Sequence, residues 1–418
     1  MASRSAVSPA RRAAFAVLRR VFEDGAYADR ALRAESQSLD ERDRALARRL
    51  AYGSVQRMRT LDHAIETLGR RPVAKLDPPV RAALRLGCYQ LAFLDGVPRY
   101  AAVNESVELV RAARLERAVS FANAVLRRLA DGARALCEAL PDDTAVEAAL
   151  RHSYPDWVAE TWWRELGADE TRALMAAQNE EPETAVRLVR GTVDGREDPL
   201  LPGAWVVDRV DEEAVAEGRI WPQSRGSQLV GHAVASRPGE RTLDLCAAPG
   251  GKATMLAGEV VAVEVDEARA AQLEDAVGRL GAENVRVVHA DGRDLPLDLD
   301  GFDRALVDAP CSGLGVLAAR PDLRWRAKPL PELQLELLRA AIARVRGGGT
   351  VVYSTCTINR EENEDVVDAV AGEGLAAIDA SLGEAWPAFR HRTRPELLQT
   401  LPHVDGTSGF FVARLRVA

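Results

Sequence analysis

The clearest local signal in this chain is DLCAAPGGK at residues 244–252. A short apolar run ends at Asp244, a turn of small residues follows, and the pattern predicts that a helix begins after it. Small residues allow a ligand to approach the main chain, whose N–H groups are unpaired at the start of a helix. We therefore expect ligand contacts from Cys246, Ala247, Ala248, Pro249, Gly250, Gly251 and Lys252.

Two common phosphate-binding loops do not fit this turn. A P-loop has glycine five residues before its Gly-Lys pair and Ser or Thr after it, but those positions hold Cys246 and Ala253 here. The dinucleotide pattern G-x-G-x-x-G is not present either. The turn therefore points to a different nucleotide-like ligand.

Short β-branched runs alternate with helical patterns on both sides of the turn. The predicted strands cover residues 242–245, 259–265, 285–289, 305–308 and 350–353. This alternation predicts an α/β domain over residues 226–418, with a mostly parallel, doubly wound, Rossmann-like sheet. Ligands of such sheets bind beyond the carboxyl ends of the strands.

Acidic residues follow two of the predicted strands. Glu264 and Asp266 end the second strand, where a carboxylate can accept both hydrogen bonds of a ribose diol. Asp291 follows the third strand, at a suitable place for an adenine edge. A single acid at a strand end is more often a helix cap or a solvated turn, but three strand ends in series favour a bound nucleoside.

The cysteines argue for reactivity rather than for structure. There are five, an odd number, and none forms a C-x-x-C pair, which argues against a disulfide framework and a zinc site. Cys88 and Cys137 lie in helical patterns and are expected to be buried. Cys311 and Cys356 follow the fourth and fifth strands, so we expect covalent catalysis by one thiol and proton handling by the other.

The first 140 residues predict an all-α domain, because apolar residues recur at spacings of three and four. Residues 1–130 carry 24 Lys and Arg against 14 Asp and Glu, whereas the whole chain has a net charge of −8. A basic domain of this kind can approach RNA phosphates. Its arginine pairs are candidate RNA contacts or a solvated face, and they are Arg11, Arg12, Arg19, Arg20, Arg48, Arg49, Arg127 and Arg128.

Length and composition bound the remaining possibilities. At 418 residues the chain should hold two or three domains, and residues 150–225 are interpreted as a small α/β connecting module. The sequence has no apolar run of about 18 residues, and residues 1–12 lack a signal-peptide core, so we expect a cytoplasmic protein with no membrane partner. Nothing in the sequence indicates an oligomer, so a monomer is expected.

Several segments of the chain match those of one enzyme family. In the second half they are DLCAAPGGK (244–252), DAPCSGLG (308–315), PDLRW (321–325), YSTCT (353–357), EEN (361–363) and LPHVDGTSGFFVARL (401–415). In the first half they are YGSVQR (52–57), LRLGCYQL (84–91), VPRYAAVNESVEL (97–109) and FANAVLRRL (121–129). Together they resemble the Sun/Fmu family of ribosomal RNA small-subunit methyltransferase B, which has a NusB-like RNA-binding domain at its N-terminus.

The resemblance implies a reaction, a cofactor and a partner. Enzymes of this family transfer a methyl group from S-adenosyl-L-methionine to carbon 5 of cytosine, so small-subunit ribosomal RNA is the expected substrate. The family assigns the attack on carbon 6 to the cysteine here numbered Cys356, and product release to Cys311. Asp308 is expected to bond the base and to contact the cofactor. Lys252 is expected to stabilise charge near the base or the methionine end of the cofactor.

Some alternatives stay open. The two cysteines could exchange roles, since DNA cytosine methyltransferases use the cysteine that matches Cys311 as nucleophile. The chain could be a non-catalytic RNA-binding assembly or antitermination factor, or could methylate another RNA such as tRNA. An exocyclic-amine methylase usually shows an N-P-P-Y type segment where this chain has DAPC. The segment IWPQSRGS at 220–227 departs from the V-Q-D-x-x-S of relatives and lacks its acid.

Overall fold

The computed structural model describes residues 7–418, which divide into two compact units. The helical unit comprises Met1–Glu180 and Leu317–Arg326, and the sheet unit comprises Glu181–Val316 and Ala327–Ala418. Residues 1–6, the start of the predicted 1–140 domain and half of the stretch judged not to be a signal peptide, lie outside the described residues.

The helical unit confirms the predicted all-α front of the chain. Its helices are α1 (Pro9–Phe22), α2 (Ala28–Ser36), α3 (Glu41–Gln56), α4 (Met58–Gly69), α5 (Pro78–Phe93), α6 (Arg99–Ala112), α7 (Glu116–Glu138), α8 (Ala145–His152), α9 (Asp156–Leu166) and α10 (Ala168–Ala177), with a 3₁₀ turn at Val73–Lys75. The apolar faces meet in one core, in which Leu18, Leu61 and Leu84 are fully buried. Asp40 caps α3, and Thr144 with Glu147 forms a capping box on α8.

A short segment from the middle of the sheet unit's sequence, Leu317–Arg326, belongs to the helical unit. It ends in α14 (Leu323–Arg326), where Arg324 is 1% exposed. The Arg324 guanidinium donates hydrogen bonds to the carbonyl oxygens of Gln56 and Ser153 at 3.0 and 3.1 Å, and lies 3.9 Å from the centre of the Tyr154 ring. Burial lowers the pKa of Arg324 to about 10. Carbonyl oxygens and a ring, rather than a carboxylate, therefore hold this cation in place.

The sheet unit begins with a small antiparallel sheet in the order β2-β3-β1-β4. Its elements are β1 (Ala185–Leu188), β2 (Arg196–Glu197), β3 (Ala204–Val206), α11 (Glu212–Ala216) and β4 (Ile220–Pro222). The stretch 150–225, predicted as one connecting module, is thus divided, because α8 to α10 group with the helical unit and these strands with the sheet unit. The three-domain division of the chain stays a prediction.

The large sheet has the order β10-β12-β9-β8-β5-β6-β7, and β11 pairs with β12. Its strands are β5 (Arg241–Asp244), β6 (Glu259–Glu264), β7 (Val285–His289), β8 (Phe302–Asp308), β9 (Val345–Thr355), β10 (Ala376–Ile378), β11 (Leu398–Thr400) and β12 (Phe410–Val417). Strands β5 to β9 pair in parallel, whereas β10, β11 and β12 are antiparallel. The predicted mostly parallel α/β sheet is confirmed.

Helices lie between these strands in the sequence. They are α12 (Arg225–Val234), α13 (Glu267–Leu280), α15 (Pro331–Arg344), α16 (Glu364–Gly372), α17 (Ser381–Ala385) and α18 (Pro402–Asp405), with 3₁₀ turns at Ala253–Met255, Arg360–Glu362 and Pro387–Phe389. Within residues 7–418, no helix is both long and apolar enough to cross a bilayer.

Strand register determines which residues meet at the carboxyl edge of the sheet. Asp244 pairs with Leu306 between β5 and β8, and Asp308 pairs with Ser354 between β8 and β9. The segments that follow Asp244, Asp308 and Ser354 therefore emerge side by side.

Candidate functional site

The turn after β5 packs closely against side chains of α13. Gly250 has a φ of +101°, a region that favours glycine, and a Cβ there would lie 2.9 Å from Leu273 Cδ1. The prediction that a helix begins after this turn is wrong for an α-helix, because the turn leads into the three-residue 3₁₀ turn Ala253–Met255. The N–H groups of Ala247 and Gly250 in this turn are bonded to the carbonyl oxygens of Val263 and Ala247.

Lys252 and Asp308 form an ion pair at the centre of the site. Lys252 Nζ lies 2.6 Å from Asp308 Oδ2, and Ser354 Oγ donates a 2.8 Å hydrogen bond to Asp308 Oδ1. The Lys252 ammonium also lies 5.1 Å from the centre of the Phe410 ring. Asp308 is thereby held from two sides, and the positive charge of Lys252 has its anion.

The two predicted reactive cysteines are in contact. Cys311 and Cys356 follow the parallel strands β8 and β9, and their Sγ atoms lie 3.4 Å apart. The hydrogen bond to Cys356, together with burial, raises the pKa of Cys311 well above its ordinary value. Cys311 therefore keeps its proton at neutral pH, and its Sγ lies within hydrogen-bond distance of Cys356 Sγ, where either sulfur can be the donor.

A buried carboxylate fixes the loop that carries Cys311. Glu362 is fully buried, and its Oε1 accepts hydrogen bonds from the N–H groups of Ser312 and Leu330 at 2.9 and 3.1 Å and from Gln334 Nε2 at 2.9 Å. Its Oε2 accepts a hydrogen bond from Ser312 Oγ. The residue next to Cys311 is thus bound through both its backbone and its side chain.

Asp244, the last residue of β5, is a buried acid without a partner. Its exposure is 0%, and neither carboxylate oxygen has a hydrogen-bond partner within the described part of the chain. Burial, and then the negative charge of Asp308, raise the pKa of Asp244 to about 7. A buried acid in this state can accept hydrogen bonds from a polar or cationic ligand group.

The acids that follow β6 divide into two roles. Glu264 is 2% exposed and its Oε2 has no hydrogen-bond partner among residues 7–418, although Arg269 Nη2 lies 3.4 Å away. Asp266 accepts a 2.8 Å hydrogen bond from the Arg269 N–H and caps α13. Glu264 therefore has the oxygen that a diol needs, whereas the Asp266 carboxylate is already engaged as a helix cap.

The other predicted ligand contacts are less available. The Asp291 carboxylate accepts hydrogen bonds from the Arg293 side chain, one of them 2.7 Å long, and from the Arg293 N–H at 2.9 Å. Burial and the charge of Asp244 raise the pKa of Cys246 well above its ordinary value, so this thiol stays protonated. An adenine edge would have to compete with Arg293 for Asp291.

The structure adds four residues that the sequence did not single out as site residues. They are Asp244, Ser354, Glu362 and Phe410. The strand-end pattern that selected Glu264 applies equally to Asp244. No local pattern marks the other three, because the partners described above lie 28 to 158 residues away in sequence.

The segment IWPQSRGS keeps its structural role without an acid. Ser224 occupies the place of the expected aspartate, and its Oγ accepts a 3.3 Å hydrogen bond from the Ser227 N–H as the cap of α12. Serine and aspartate are comparable helix caps. The departure therefore leaves the start of α12 capped.

Known proteins match both halves of the chain. Residues 232–416 match the family model described as 16S rRNA methyltransferase RsmB/F, and residues 8–131 match the NusB family. Ribosomal RNA small subunit methyltransferase B of Thermus thermophilus is 37% identical, over 93% of this chain and 92% of its own length. The chain belongs to the RsmB/F family of 16S rRNA methyltransferases.

Other relatives agree with the RsmB/F assignment. A probable ribosomal RNA small subunit methyltransferase B of Synechocystis is 34% identical over 98% of this chain and 99% of its own length. The crystal structure of PH0851 superposes with a TM-score of 0.76 at 23% identity, covering 99% of this chain and 100% of that one. The structure of NSun6 from Pyrococcus horikoshii with SFG superposes with a TM-score of 0.54 at 23% identity, covering 64% of this chain and 99% of that one. These two similarities show the shared fold.

Membership in the RsmB/F family makes this chain an RNA methyltransferase that uses S-adenosylmethionine. The site residues fit that cofactor. The unpartnered oxygens of Asp244 suit its ammonium group, and Glu264 Oε2, which accepts no hydrogen bond among residues 7–418, suits its ribose diol.

Proposed function

We propose that this RsmB/F-family enzyme methylates carbon 5 of a cytosine in 16S ribosomal RNA through a covalent bond from Cys356 to carbon 6. The observation that carries the proposal is the pair of thiols, 3.4 Å apart, at the ends of adjacent strands and beside Asp308. Carbon 5 of cytosine is a weak nucleophile, and addition of a thiolate at carbon 6 converts the ring into an enamine-like one. A chemistry of this kind needs a cysteine.

In the proposed first step, the Cys356 thiolate forms a bond to carbon 6. The electron pair of the carbon 5–carbon 6 bond becomes available at carbon 5, and the base is stabilised by a proton or hydrogen bond at nitrogen 3. S-Adenosylmethionine supplies the methyl group that carbon 5 takes. Asp308 is placed to bond nitrogen 3 and the exocyclic amine, since Lys252 and Ser354 hold its carboxylate at 2.6 and 2.8 Å.

In the proposed release step, a water molecule acting as base takes the proton from carbon 5. The electron pair of that carbon–hydrogen bond re-forms the carbon 5–carbon 6 double bond, and the bond to Cys356 breaks with its electron pair on sulfur. The leaving sulfur needs a nearby proton donor or a hydrogen bond. Cys311 supplies it, because its raised pKa keeps it protonated within contact of Cys356. The contact between the two thiols fits either assignment of roles, and the family pattern, in which the cysteine of the TC segment attacks, favours Cys356 as nucleophile and Cys311 in release.

The cofactor contacts are proposed from the same edge of the sheet. The turn Cys246 to Lys252, Glu264, Asp266, Asp291 and Asp308 are the proposed contacts, and the buried Asp244 joins them. The target base must leave its stack to enter such a site, so the RNA is expected to be a loop or partly unfolded there.

Replacement of each cysteine tests the proposal. Cys311→Ala should accumulate a covalent protein–RNA adduct, because release lacks its proton donor. Cys356→Ala should give neither adduct nor methyl transfer. The measurement is denaturing gel electrophoresis of labelled 16S RNA after incubation with S-adenosylmethionine.

Cys137→Ala is the matched control, since this cysteine is buried in the helical unit and should behave as wild type. An adduct that forms with Cys356→Ala but not with Cys311→Ala would show that Cys311 is the nucleophile and Cys356 acts in release. Full methyl transfer by both variants, with no adduct in either, would contradict a covalent mechanism.

A further inference from the structure

The arginine pairs of the helical unit, alike in sequence, differ in their surroundings. Arg11 is buried, lies 3.0 Å from a carboxylate oxygen of Glu105 and is not a surface contact. Arg19 and Arg20 pair with Glu23 and Glu35. Carboxylates thus pair with three of the eight arginines that the sequence marked as candidate RNA contacts.

A different group of arginines surrounds an exposed tyrosine. Tyr27 is 37% exposed, and the guanidinium carbons of Arg30, Arg320 and Arg326 lie 5.2, 5.3 and 4.4 Å from the centre of its ring. The two residues from Leu317–Arg326 thus join Arg30 of α2 at one ring. Guanidinium groups stack on aromatic faces in this way and keep their N–H edges free for other partners.

A second tyrosine extends this group. The Arg48 guanidinium carbon lies 5.4 Å from the centre of the Tyr52 ring on α3. Burial raises the pKa of Tyr52, while the nearby charges of Arg48 and Arg320 act in the opposite direction. The arginine–tyrosine patch therefore consists of Tyr27, Arg30, Arg48, Tyr52, Arg320 and Arg326.

The patch carries more positive than negative charge. Arg320 lies 3.8 Å from Asp29, and Arg326 lies 3.6 Å from Asp322. Arg30 and Arg48 are exposed and contact the rings of Tyr27 and Tyr52. Among residues 7–418, neither guanidinium forms an ion pair with a carboxylate within 4.0 Å. Four cations face two anions, and the excess favours an anionic partner.

We propose that the arginine–tyrosine patch binds a single-stranded segment of the RNA substrate. Phosphates would pair with the guanidinium edges, and unstacked bases would lie on the flat guanidinium and tyrosine faces. An A-form duplex keeps its bases stacked inside and could use only the charges. The choice of RNA as the partner rests on the proposed function, whereas the excess positive charge and the arginine–tyrosine contacts are features of the structure.

The test is fluorescence anisotropy with a labelled single-stranded RNA of about 12 nucleotides, titrated with full-length protein at several salt concentrations. Arg30→Gln with Arg48→Gln should weaken binding about tenfold at moderate salt. The slope of log affinity against log salt should become shallower by about 1.4, or roughly 0.7 for each lost phosphate contact. Tyr27→Ala should also weaken binding, whereas Tyr27→Phe, which keeps the ring, should not.

The matched control is Lys75→Gln with Arg99→Gln, which removes two exposed charges of the same unit outside the patch. It should change the affinity less than twofold. Equal losses in the two double variants would show a general charge effect and overturn the proposal, as would a duplex that binds as tightly as the single strand. Unchanged circular dichroism melting of Tyr27→Ala excludes unfolding as the cause of its loss.

This binding assay needs neither S-adenosylmethionine nor methyl transfer. A wild-type protein that binds RNA through the patch but does not methylate cytosine would contradict the proposed function alone. Patch variants that bind like wild type, in a protein that methylates cytosine, would contradict the patch alone.

Discussion

At the scale of single residues, two buried acids behave in opposite ways. Glu362 is fully buried but accepts several hydrogen bonds, so its burial is compensated. Asp244 is equally buried with no partner, and its pKa is raised to about 7. Glu362 is thus suited to hold a loop, and Asp244 to receive a ligand.

Asp244 should make stability depend on pH. Its pKa in the folded chain lies above the unfolded value of about 4, so the folded state binds the extra proton between about pH 4 and pH 7. Without cofactor, the free energy of unfolding should fall as pH rises through that window, by at most about 4 kcal/mol. Asp244→Asn should remove this component, as measured by urea unfolding of the sheet unit from pH 5 to pH 8.

Asp294→Asn, at an exposed acid of the same unit, is the control and should keep the wild-type dependence. A stability that stays flat in the wild type over this range would show that Asp244 is ionised without cost.

Glu362→Gln should disturb the position of Cys311. The single NH₂ group of a glutamine amide must replace one of the two accepting oxygens and face a donor there, and each buried polar group left unpaired costs about 1–3 kcal/mol. Release from Cys356 should slow, so the variant should accumulate part of the adduct expected for Cys311→Ala, measured on the same denaturing gel. The exposed neighbour variant Glu361→Gln should not, and an adduct-free Glu362→Gln with wild-type turnover would rule out a positioning role.

At the scale of elements, Arg324 is a central anchor of the segment Leu317–Arg326. Arg324 bonds main-chain carbonyl oxygens of α3 and of the residue after α8, and it stacks on Tyr154. These contacts use several N–H groups in one plane, which a lysine ammonium cannot reproduce. Trp325 adds a 2.7 Å hydrogen bond from its Nε1 to the Val55 carbonyl oxygen, and Arg324 is the side chain of the segment with the largest number of buried hydrogen bonds.

Arg324→Lys should destabilise the helical unit by about 3 kcal/mol, because it leaves buried carbonyl oxygens without donors and buries a less well-bound cation. Hydrogen exchange of the amides in Leu317–Arg326 and α8 should accelerate. Arg127→Lys on the exposed face of α7 should leave exchange unchanged. Wild-type protection in Arg324→Lys would show that the segment is held by its apolar contacts instead.

At the scale of the whole molecule, local patterns predicted the elements and long-range contacts decided their grouping. β-Branched runs located the five parallel strands, and register then brought Cys311 and Cys356 together. Leu317–Arg326 could not be assigned to the helical unit from sequence, because the partners of Arg324 lie more than 140 residues earlier. Likewise, the Trp-containing helix α9 has no local feature that distinguishes its unit from that of β1.

The central claim is that carbon 5 of a cytosine in 16S RNA receives the methyl group. It is tested most directly by incubating the enzyme with unmodified 16S RNA and methyl-labelled S-adenosylmethionine, then digesting the RNA to nucleosides and identifying the labelled one. We expect the label in 5-methylcytidine, and none with Cys356→Ala. Label in N4-methylcytidine or in a methylated adenosine would contradict the account.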